Sequence, residues 1–166
     1  GMMLMGAFFA VWGSIWSGSW EVGLLMAMLS GGLLALIHAV FSIHLRADQI
    51  VSGFAVNLLA LGLTGYLYSS IYPNGTTKGQ IERVPSLEGL FGFLDWVPGA
   101  DLSLLVWLMF VTVVLAYVVL FKTPIGLRIR SVGEHPRAAD TVGISVYRIR
   151  YAAVVTSGVL AALGGA

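Results

Sequence analysis

Three side chains in the first third of the sequence are of the types that bind metal ions or relay protons: His38, His44 and Asp48. The two histidines are six residues apart, which on a continuous α-helix is about 600° of rotation and puts their rings on different faces. Metal-binding histidine pairs on helices favour spacings such as i and i+4. We therefore expect a polar cap at a helix end. An enzyme that uses these groups is the alternative, and it requires them to converge within hydrogen-bond reach.

The sequence excludes several other kinds of chemistry. It has no cysteine, which rules out disulfides, thiolate metal sites and cysteine nucleophiles. It has no G-x-x-x-x-G-K-[ST] run, and neither Lys78 nor Lys122 follows the glycine-rich stretch that a phosphate-binding loop needs. The formal net charge is +1, so nothing indicates a nucleic acid as partner. We expect no catalytic residue, no metal site and no cofactor in this chain.

Four polar side chains interrupt an otherwise apolar stretch around residues 50–71. They are Gln49, Ser52, Asn57 and Thr64. An unpaired amide in the middle of a membrane span is costly, so the asparagine should face other helices and not lipid. It either lines a path for a polar solute or bonds across to a neighbouring helix. The same two interpretations are open for the other three, and a serine or threonine can also bond to its own helix.

A polar segment between two apolar stretches has the pattern of one short helix. It consists of Glu134, His135, Pro136, Arg137, Ala138, Ala139, Asp140, Thr141, Val142 and Gly143. Proline suits the first helical turn, glutamate is favourable near a helix N-terminus, and glycine commonly ends a helix. Such a helix could be a contact point for a partner protein. An ordinary interfacial loop held by anionic lipid is the alternative.

Composition places these residues in a membrane. Hydrophobic residues make up 58% of the 166 residues, charged residues 10%, and the mean hydropathy is +0.90, whereas soluble domains carry about 25% charged residues. Apolar stretches occupy residues 2–16, 22–43, 50–71, 103–121 and 151–166. Because a span needs about 20 residues, we expect the first and last to be incomplete. The predicted fold is an all-α, multi-pass transmembrane helical bundle of about five segments.

The basic residues predict the orientation of the bundle. Six of the nine Lys and Arg residues lie in residues 122–150, and only two lie in residues 72–101. Basic loops stay in the cytoplasm, so residues 122–150 should be cytoplasmic and residues 72–101 external. We expect the whole chain, residues 1–166, to be one partial transmembrane domain.

Two further patterns concern packing. In the predicted external loop, four apolar residues at helical spacing indicate a short helix on the membrane surface or one packed on the loop itself. These are Leu87, Leu90, Phe91 and Leu94. In the last apolar stretch, small residues recur every four positions at Ala153, Ser157, Ala161 and Gly165, with Gly158 and Ala162 beside them. This face predicts close helix packing, against a helix of the same chain or of a second subunit.

Two runs resemble a known family. Residues 123–136 read TPIGLRIRSVGEHP, followed by Ala138-Ala139 and Gly143-Ile144. This closely resembles the cytoplasmic coupling loop of ABC importer permeases for branched-chain amino acids, monosaccharides and nucleosides. Residues 46–62 read RADQIVSGFAVNLLALG and resemble the nucleoside and simple-sugar branch. The two runs lie in order with suitable spans between them, although family members are about twice this length.

The resemblance implies a permease component of the inner (cytoplasmic) membrane that moves a small polar solute by alternating access. Nucleoside is the preferred solute, then monosaccharide, then branched-chain amino acid. Segment 134–143 would dock in a groove of a separate ATP-binding subunit, which binds the ATP and Mg²⁺. Other expected partners are a second permease subunit, an extracytoplasmic substrate-binding lipoprotein and membrane lipids. An intramembrane enzyme and a channel are the alternatives from other classes.

Overall fold

The computed structural model describes residues 1–73 and 104–166, and the regular structure in these two stretches is helical. The predicted helix with Leu87, Leu90, Phe91 and Leu94 lies outside the described residues, as does most of the predicted external loop. In chain order the elements are α1 (Met2–Ser17), α2 (Trp20–Ala39), a π-helical turn (Val40–His44) that continues α2, α3 (Gln49–Ile71), α4 (Leu104–Lys122), α5 (Pro124–Glu134), α6 (Pro136–Thr141) and α7 (Val146–Leu163).

Four of the described helical stretches are long and apolar enough to cross a membrane. They are Trp20–His44, Gln49–Ile71, Leu105–Lys122 and Val146–Leu163, and α1 is a shorter apolar helix. These lengths confirm the predicted multi-pass helical fold. The last helix begins at Val146, five residues before the predicted start at Tyr151. Its first turns include Arg148 and Arg150. A membrane helix tolerates arginines near its end, because their long side chains can extend the charged groups out of the apolar layer.

A tight turn joins α1 and α2 into a hairpin. Gly18 ends α1 with φ at 70°, and its N–H donates to the Ser14 carbonyl at 2.9 Å. Glycine adopts this left-handed conformation without the steric cost of a Cβ. Further along, α1 and α2 approach so closely that a Cβ on Gly23 would collide with the Ala10 carbonyl oxygen. Small residues therefore set the spacing of the hairpin.

Small residues also set the packing of α7 against α1 and α2. A Cβ on Gly31 of α2 would overlap the Ala162 side chain and lie 2.8 Å from the Gly158 carbonyl oxygen. A Cβ on Gly158 would overlap Ala35, and one on Gly6 of α1 would overlap the Ala162 backbone. Close approach of this kind gives van der Waals contact without a hydrophobic driving force, as expected between helices in lipid.

A small apolar core lies where α1, α2 and α3 meet. Its buried members are Met5, Leu34, Val56 and Ala60, with Met2 and Phe9 partly buried against them. The inward face of α3 repeats every four residues through buried Ser52, Val56, Ala60 and Thr64.

The helix α4 is the least covered span. Among the described residues it contacts α5, which folds back beneath its end, and most of its side chains are exposed. A Cβ on Gly126 of α5 would collide with the Val119 and Leu120 carbonyls of α4, which shows how sharply the chain turns there.

Candidate functional site

The segment after α4 forms two helices, α5 and α6, joined by an elbow at His135. The sequence predicted one helix over residues 134–143 in this segment. Thr123 caps α5 by accepting from the Gly126 N–H at 3.2 Å, and Pro124 occupies its first turn. The helix ends at Glu134, so this glutamate closes α5 and is not in the first turn of the next helix. The prediction that the helix begins at Glu134 was therefore wrong, since α6 begins at Pro136.

The elbow is made by a His-Pro pair. His135 has φ −139° and ψ 80°, outside the helical region, and its N–H still donates to the Ser131 carbonyl at 2.9 Å. A residue before proline is disfavoured in the α conformation, and proline has no N–H to continue the helix. Pro136 therefore begins a new helix, α6, as predicted from its suitability for a first turn.

The other end of α6 is fixed by glycine. Gly143 has φ at 82°, and its N–H donates to the Asp140 carbonyl at 3.0 Å. The next residue, Ile144, donates to the Ala139 carbonyl at 3.1 Å. These bonds satisfy carbonyl groups that a helix end leaves free. The C-terminal end of this six-residue helix is thus closed, whereas its N-terminal end has no side-chain cap.

Burial divides the segment into an anchor and an exposed face. Ala139 is 4% exposed and Val132 of α5 is 3% exposed, so these two side chains hold the elbow to the rest of the chain. The polar side chains around them face outward. Those of Glu134, His135, Arg137, Asp140 and Thr141 are exposed, as is Ala138. An anchored short helix with acidic and basic groups on its outer face can present a fixed charge pattern to a partner.

A second candidate site is the polar side of α3. At 100° per residue, Gln49, Ser52, Asn57 and Thr64 occupy an arc of about 140°. The remaining face is mostly apolar, with Tyr66 and Ser69 near its end. The structure therefore brings the four predicted residues to one side of one helix, without direct contact among them.

Two of the four are buried and use their hydroxyl groups locally. The Ser52 hydroxyl and His38 Nδ1 of α2 lie 3.0 Å apart and form a hydrogen bond between the helices. The Thr64 hydroxyl donates to the Ala60 carbonyl of its own helix at 2.7 Å. Ser52 thus bonds across helices and Thr64 bonds within its own helix. The interpretation of these residues as part of a solute path stays a prediction.

The other two are exposed. Gln49 begins α3, and Asn57 lies at the edge of the inward face near the start of α1, where a Cβ on Gly1 would lie 3.2 Å from its Oδ1. The Asn57 amide has both a donor and an acceptor available to a solute or a further helix.

The first three residues considered for chemistry do not converge. His38 bonds to Ser52, Asp48 accepts from the Ile50 N–H at 2.8 Å as the cap of α3, and His44 is exposed in the π-turn. Within residues 1–73 and 104–166, no group of three metal-binding side chains comes together. The π-turn itself was not predicted, since the sequence analysis assumed a continuous α-helix there.

The small-residue face of α7 is displaced from the predicted positions. The fully packed residues are Gly158 and Ala162, whereas Ala153 and Ser157 are exposed and Ala161 is half-buried. Gly165 approaches the Met3 backbone of α1. The face of α2 that packs against α7 also has a repeat of small residues, which the sequence analysis missed. Its members recur every four residues and all are buried: Gly23, Ala27, Gly31, Ala35 and Ala39.

Comparison with known proteins extends over the whole chain. A protein-family model described as "Branched-chain amino acid transport system / permease component" matches residues 1–166. No solved structure matches.

Curated relatives are similar along the same length. The chain is 42% identical to the guanosine ABC transporter permease protein NupQ of Bacillus subtilis, with 99% of this chain and 55% of that protein covered. It is 38% identical to the nucleoside ABC transporter permease protein NupC of Lactococcus lactis, covering 100% and 55%. A putative glucose ABC transporter permease protein, TsgC13 of Haloferax volcanii, is 31% identical, covering 100% and 51%. The chain spans about half the length of these relatives.

Proposed function

We propose a function from one established premise: the chain belongs to the branched-chain amino acid transport system permease family. It is a transporter subunit of a membrane. In our proposal it forms part of the solute pathway of an ABC importer, and a separate ATP-binding subunit supplies the energy. The observation that carries this is the anchored, outward-facing helix α6 in a chain that is similar to permeases from end to end.

The proposed coupling acts through the elbow formed by α5 and α6. When the ATP-binding subunits move, force on the exposed residues of α6 passes through Ala139 and Val132 into the chain, because both side chains are buried. A short helix with a closed C-terminal end and a buried alanine transmits such a force as a unit. The spans then change between outward-facing and inward-facing arrangements.

The nucleotide chemistry is assigned to the partner. ATP and Mg²⁺ would be bound by the ATP-binding subunit, since this sequence lacks a phosphate-binding loop motif. A second permease subunit and an extracytoplasmic substrate-binding lipoprotein complete the proposed complex.

The proposed location is the inner membrane, with residues 122–150 cytoplasmic and residues 72–101 external. The concentration of arginine and lysine in the first of these loops supports this orientation.

The proposed solute is a nucleoside, with a simple sugar second. The named activities of NupQ and NupC favour the nucleoside, and that of TsgC13 supports the sugar. The polar side of α3 is the proposed part of the pathway, and Asn57 is the group we expect to meet the solute directly. Gln49 lies at the end of this side, and Ser52 and Thr64 shape it from within.

A charge exchange on the elbow tests the coupling. Glu134→Lys combined with Arg137→Glu reverses the exposed charge pattern while keeping the net charge unchanged. In the permease that carries these residues, reconstituted with its ATP-binding subunit, we expect nucleoside uptake to fall at least about tenfold, the cost of roughly 1.4 kcal/mol in coupling. Uptake and ATP hydrolysis are measured in the same vesicles.

Arg148→Gln is the matched control, because this exposed arginine lies at the same end of the bundle but on α7. It should leave the ratio of uptake to hydrolysis unchanged. An unchanged ratio in the charge-exchanged protein would contradict the proposed role of α6.

A further inference from the structure

A hydrogen bond between side chains joins the end of α2 to the start of α3. Its two polar atoms, His38 Nδ1 and Ser52 Oγ, are 3.0 Å apart. His38 is half-buried in the last turn of α2, and Ser52 is 6% exposed near the start of α3. Polar groups buried between helices retain such partners, because an unpaired one is costly. The bond therefore constrains both helices.

The direction of this bond constrains α3 in a way that its apolar contacts do not. Val56 and Ala60 of α3 share the small core with Met5 and Leu34. Contacts between aliphatic groups are non-directional, whereas a hydrogen bond weakens steeply when its length or angle changes. The contact with His38 thus limits how far α3 can rotate about its own axis.

The backbone between the two bonded residues adopts a costly conformation. After α2 comes the π-helical turn, in which the Leu45 N–H donates to the Val40 carbonyl at 3.0 Å. Arg46 then has φ at 52°, a left-handed conformation that residues with a Cβ rarely adopt. Such strain persists only where surrounding contacts hold it, and single π-turns are frequent at functional sites. Because the bond between His38 and Ser52 spans this corner, its loss allows the corner to relax and α3 to rotate.

A rotation of α3 would displace the Asn57 amide, five residues beyond Ser52 on the same helix. With its side chains a helix has a radius of about 5–6 Å, so a rotation of about 20° moves a side-chain end by about 2 Å. The donor–acceptor distance of an N–H···O hydrogen bond varies over only about 0.5 Å. A small rotation is therefore enough to separate this amide from a bound solute.

We infer that His38 is a positioning residue for solute uptake, because its bond to Ser52 fixes the rotation of α3 and thereby the direction of the Asn57 amide. The inference rests on the proposed function, in which Asn57 meets the solute. His38 acts through α3 and needs no contact with the solute itself.

Two substitutions separate the polar atom of His38 from the bulk of its side chain. His38→Asn keeps a polar atom close to the position of Nδ1, whereas His38→Leu keeps none. In the complete permease with its ATP-binding subunit, we expect His38→Leu to lower nucleoside uptake about fivefold, the effect of one hydrogen bond, and His38→Asn to lower it less than about twofold. Uptake is measured per permease molecule in the membrane.

Ser30→Ala is the matched control on the same helix. The Ser30 hydroxyl donates to the Ala27 carbonyl of α2 itself at 2.9 Å, so it makes no bond between helices. This variant should change uptake by less than about twofold, the usual effect of a side chain outside the coupled set.

Combination with Asn57→Leu tests the positioning role itself. In that background His38→Leu has no amide to misplace, so it should lower uptake further by less than about twofold. Ser52→Ala removes the hydroxyl without adding atoms and should show the same dependence on Asn57. A merely structural role predicts the same further loss in both backgrounds, because the stability of the bundle does not depend on the amide.

The outcomes distinguish this inference from the proposed function. Equal losses from His38→Leu with and without Asn57, or failure of His38→Asn to retain uptake, would overturn the positioning role and leave the proposed pathway standing. Unchanged uptake in Asn57→Leu alone would remove Asn57 from the pathway and overturn the inference with it. If His38→Leu does not reach the membrane, the comparison of Ser52→Ala in the two backgrounds decides.

Discussion

At the scale of single residues, the polar side of α3 combines groups that serve the fold with one that is free to serve a solute. Ser52 bonds to His38 of the next helix, and Thr64 bonds to its own backbone. Asn57 is exposed at the edge of the same side. Its amide is the most costly of the three to leave against lipid, so its position calls for a polar partner.

Replacement of the amide should separate transport from folding. Asn57→Leu keeps the branched shape of the side chain and removes both hydrogen-bonding groups. Because the side chain is exposed, we expect stability to change by less than about 0.5 kcal/mol and nucleoside uptake to fall several-fold. Uptake by cells expressing the complete permease measures this. Leu58→Met, on the other face of α3, is the control and should leave uptake unchanged; equal uptake by both variants would remove Asn57 from the pathway.

The two hydroxyl groups should differ in their contribution to stability. Ser52→Ala leaves His38 Nδ1 without the partner it has at 3.0 Å, and we expect a loss of about 1 kcal/mol. Thr64→Val removes a bond within one helix, where the carbonyl keeps its backbone partner, and should cost less. Unfolding in a denaturing detergent compares the two. A larger loss for the threonine variant would contradict the role assigned to the interhelical bond.

At the scale of elements, helix packing depends on small residues that a sequence identifies only in part. The repeat on α7 was detected, but the residues that pack most closely, Gly158 and Ala162, lie beside the predicted positions. A helix rich in small residues offers more than one such face. The choice between them was decided by α2, whose own repeat through Gly31 and Ala35 supplies the complementary surface.

A pair of glycine substitutions tests this packing. A Cβ on Gly31 would overlap Ala162, whereas one on Gly62 of α3 would have nothing within 4 Å. Gly31→Ala should therefore destabilise the bundle by about 1–3 kcal/mol, the usual cost of overpacking. Gly62→Ala should be neutral or slightly stabilising, because alanine favours helix more than glycine. Thermal unfolding in detergent distinguishes them, and similar midpoints for both would show that α2 and α7 do not pack as described.

The membrane-length helices were predicted best, because a long run of apolar residues is enough to identify them. Pro136 was also correctly predicted to lie in the first turn of a helix. The caps at Asp48 and Thr123 were not predicted. The π-turn at Val40–His44 and the helix α5, which ends at Glu134, were missed. Residues 40–44 contain neither Gly nor Pro, so no breaker in the sequence marks the change of helix type there.

At the scale of the whole molecule, one exposed surface lies at the elbow of α5 and α6. It is the outward face of α6, which we assign to an ATP-binding subunit. The chain spans about half the length of its relatives. Family membership followed from the loop and α3 motifs because these are runs of adjacent residues, whereas the packing of α7 against α2 required the structure.

Cross-linking from α6 tests the central claim most directly. The described sequence has no cysteine of its own. In a cysteine-free form of the complete permease, Arg137→Cys provides the single thiol for a maleimide photo-cross-linker. Trp16→Cys is the control. Trp16 lies beside the turn that joins α1 and α2, and its side chain is 74% exposed. We predict that position 137 cross-links to the ATP-binding subunit and is labelled from the cytoplasmic side, and that position 16 does neither. Labelling of position 137 from outside the cell, or cross-linking of the ATP-binding subunit to position 16 instead, would contradict the account.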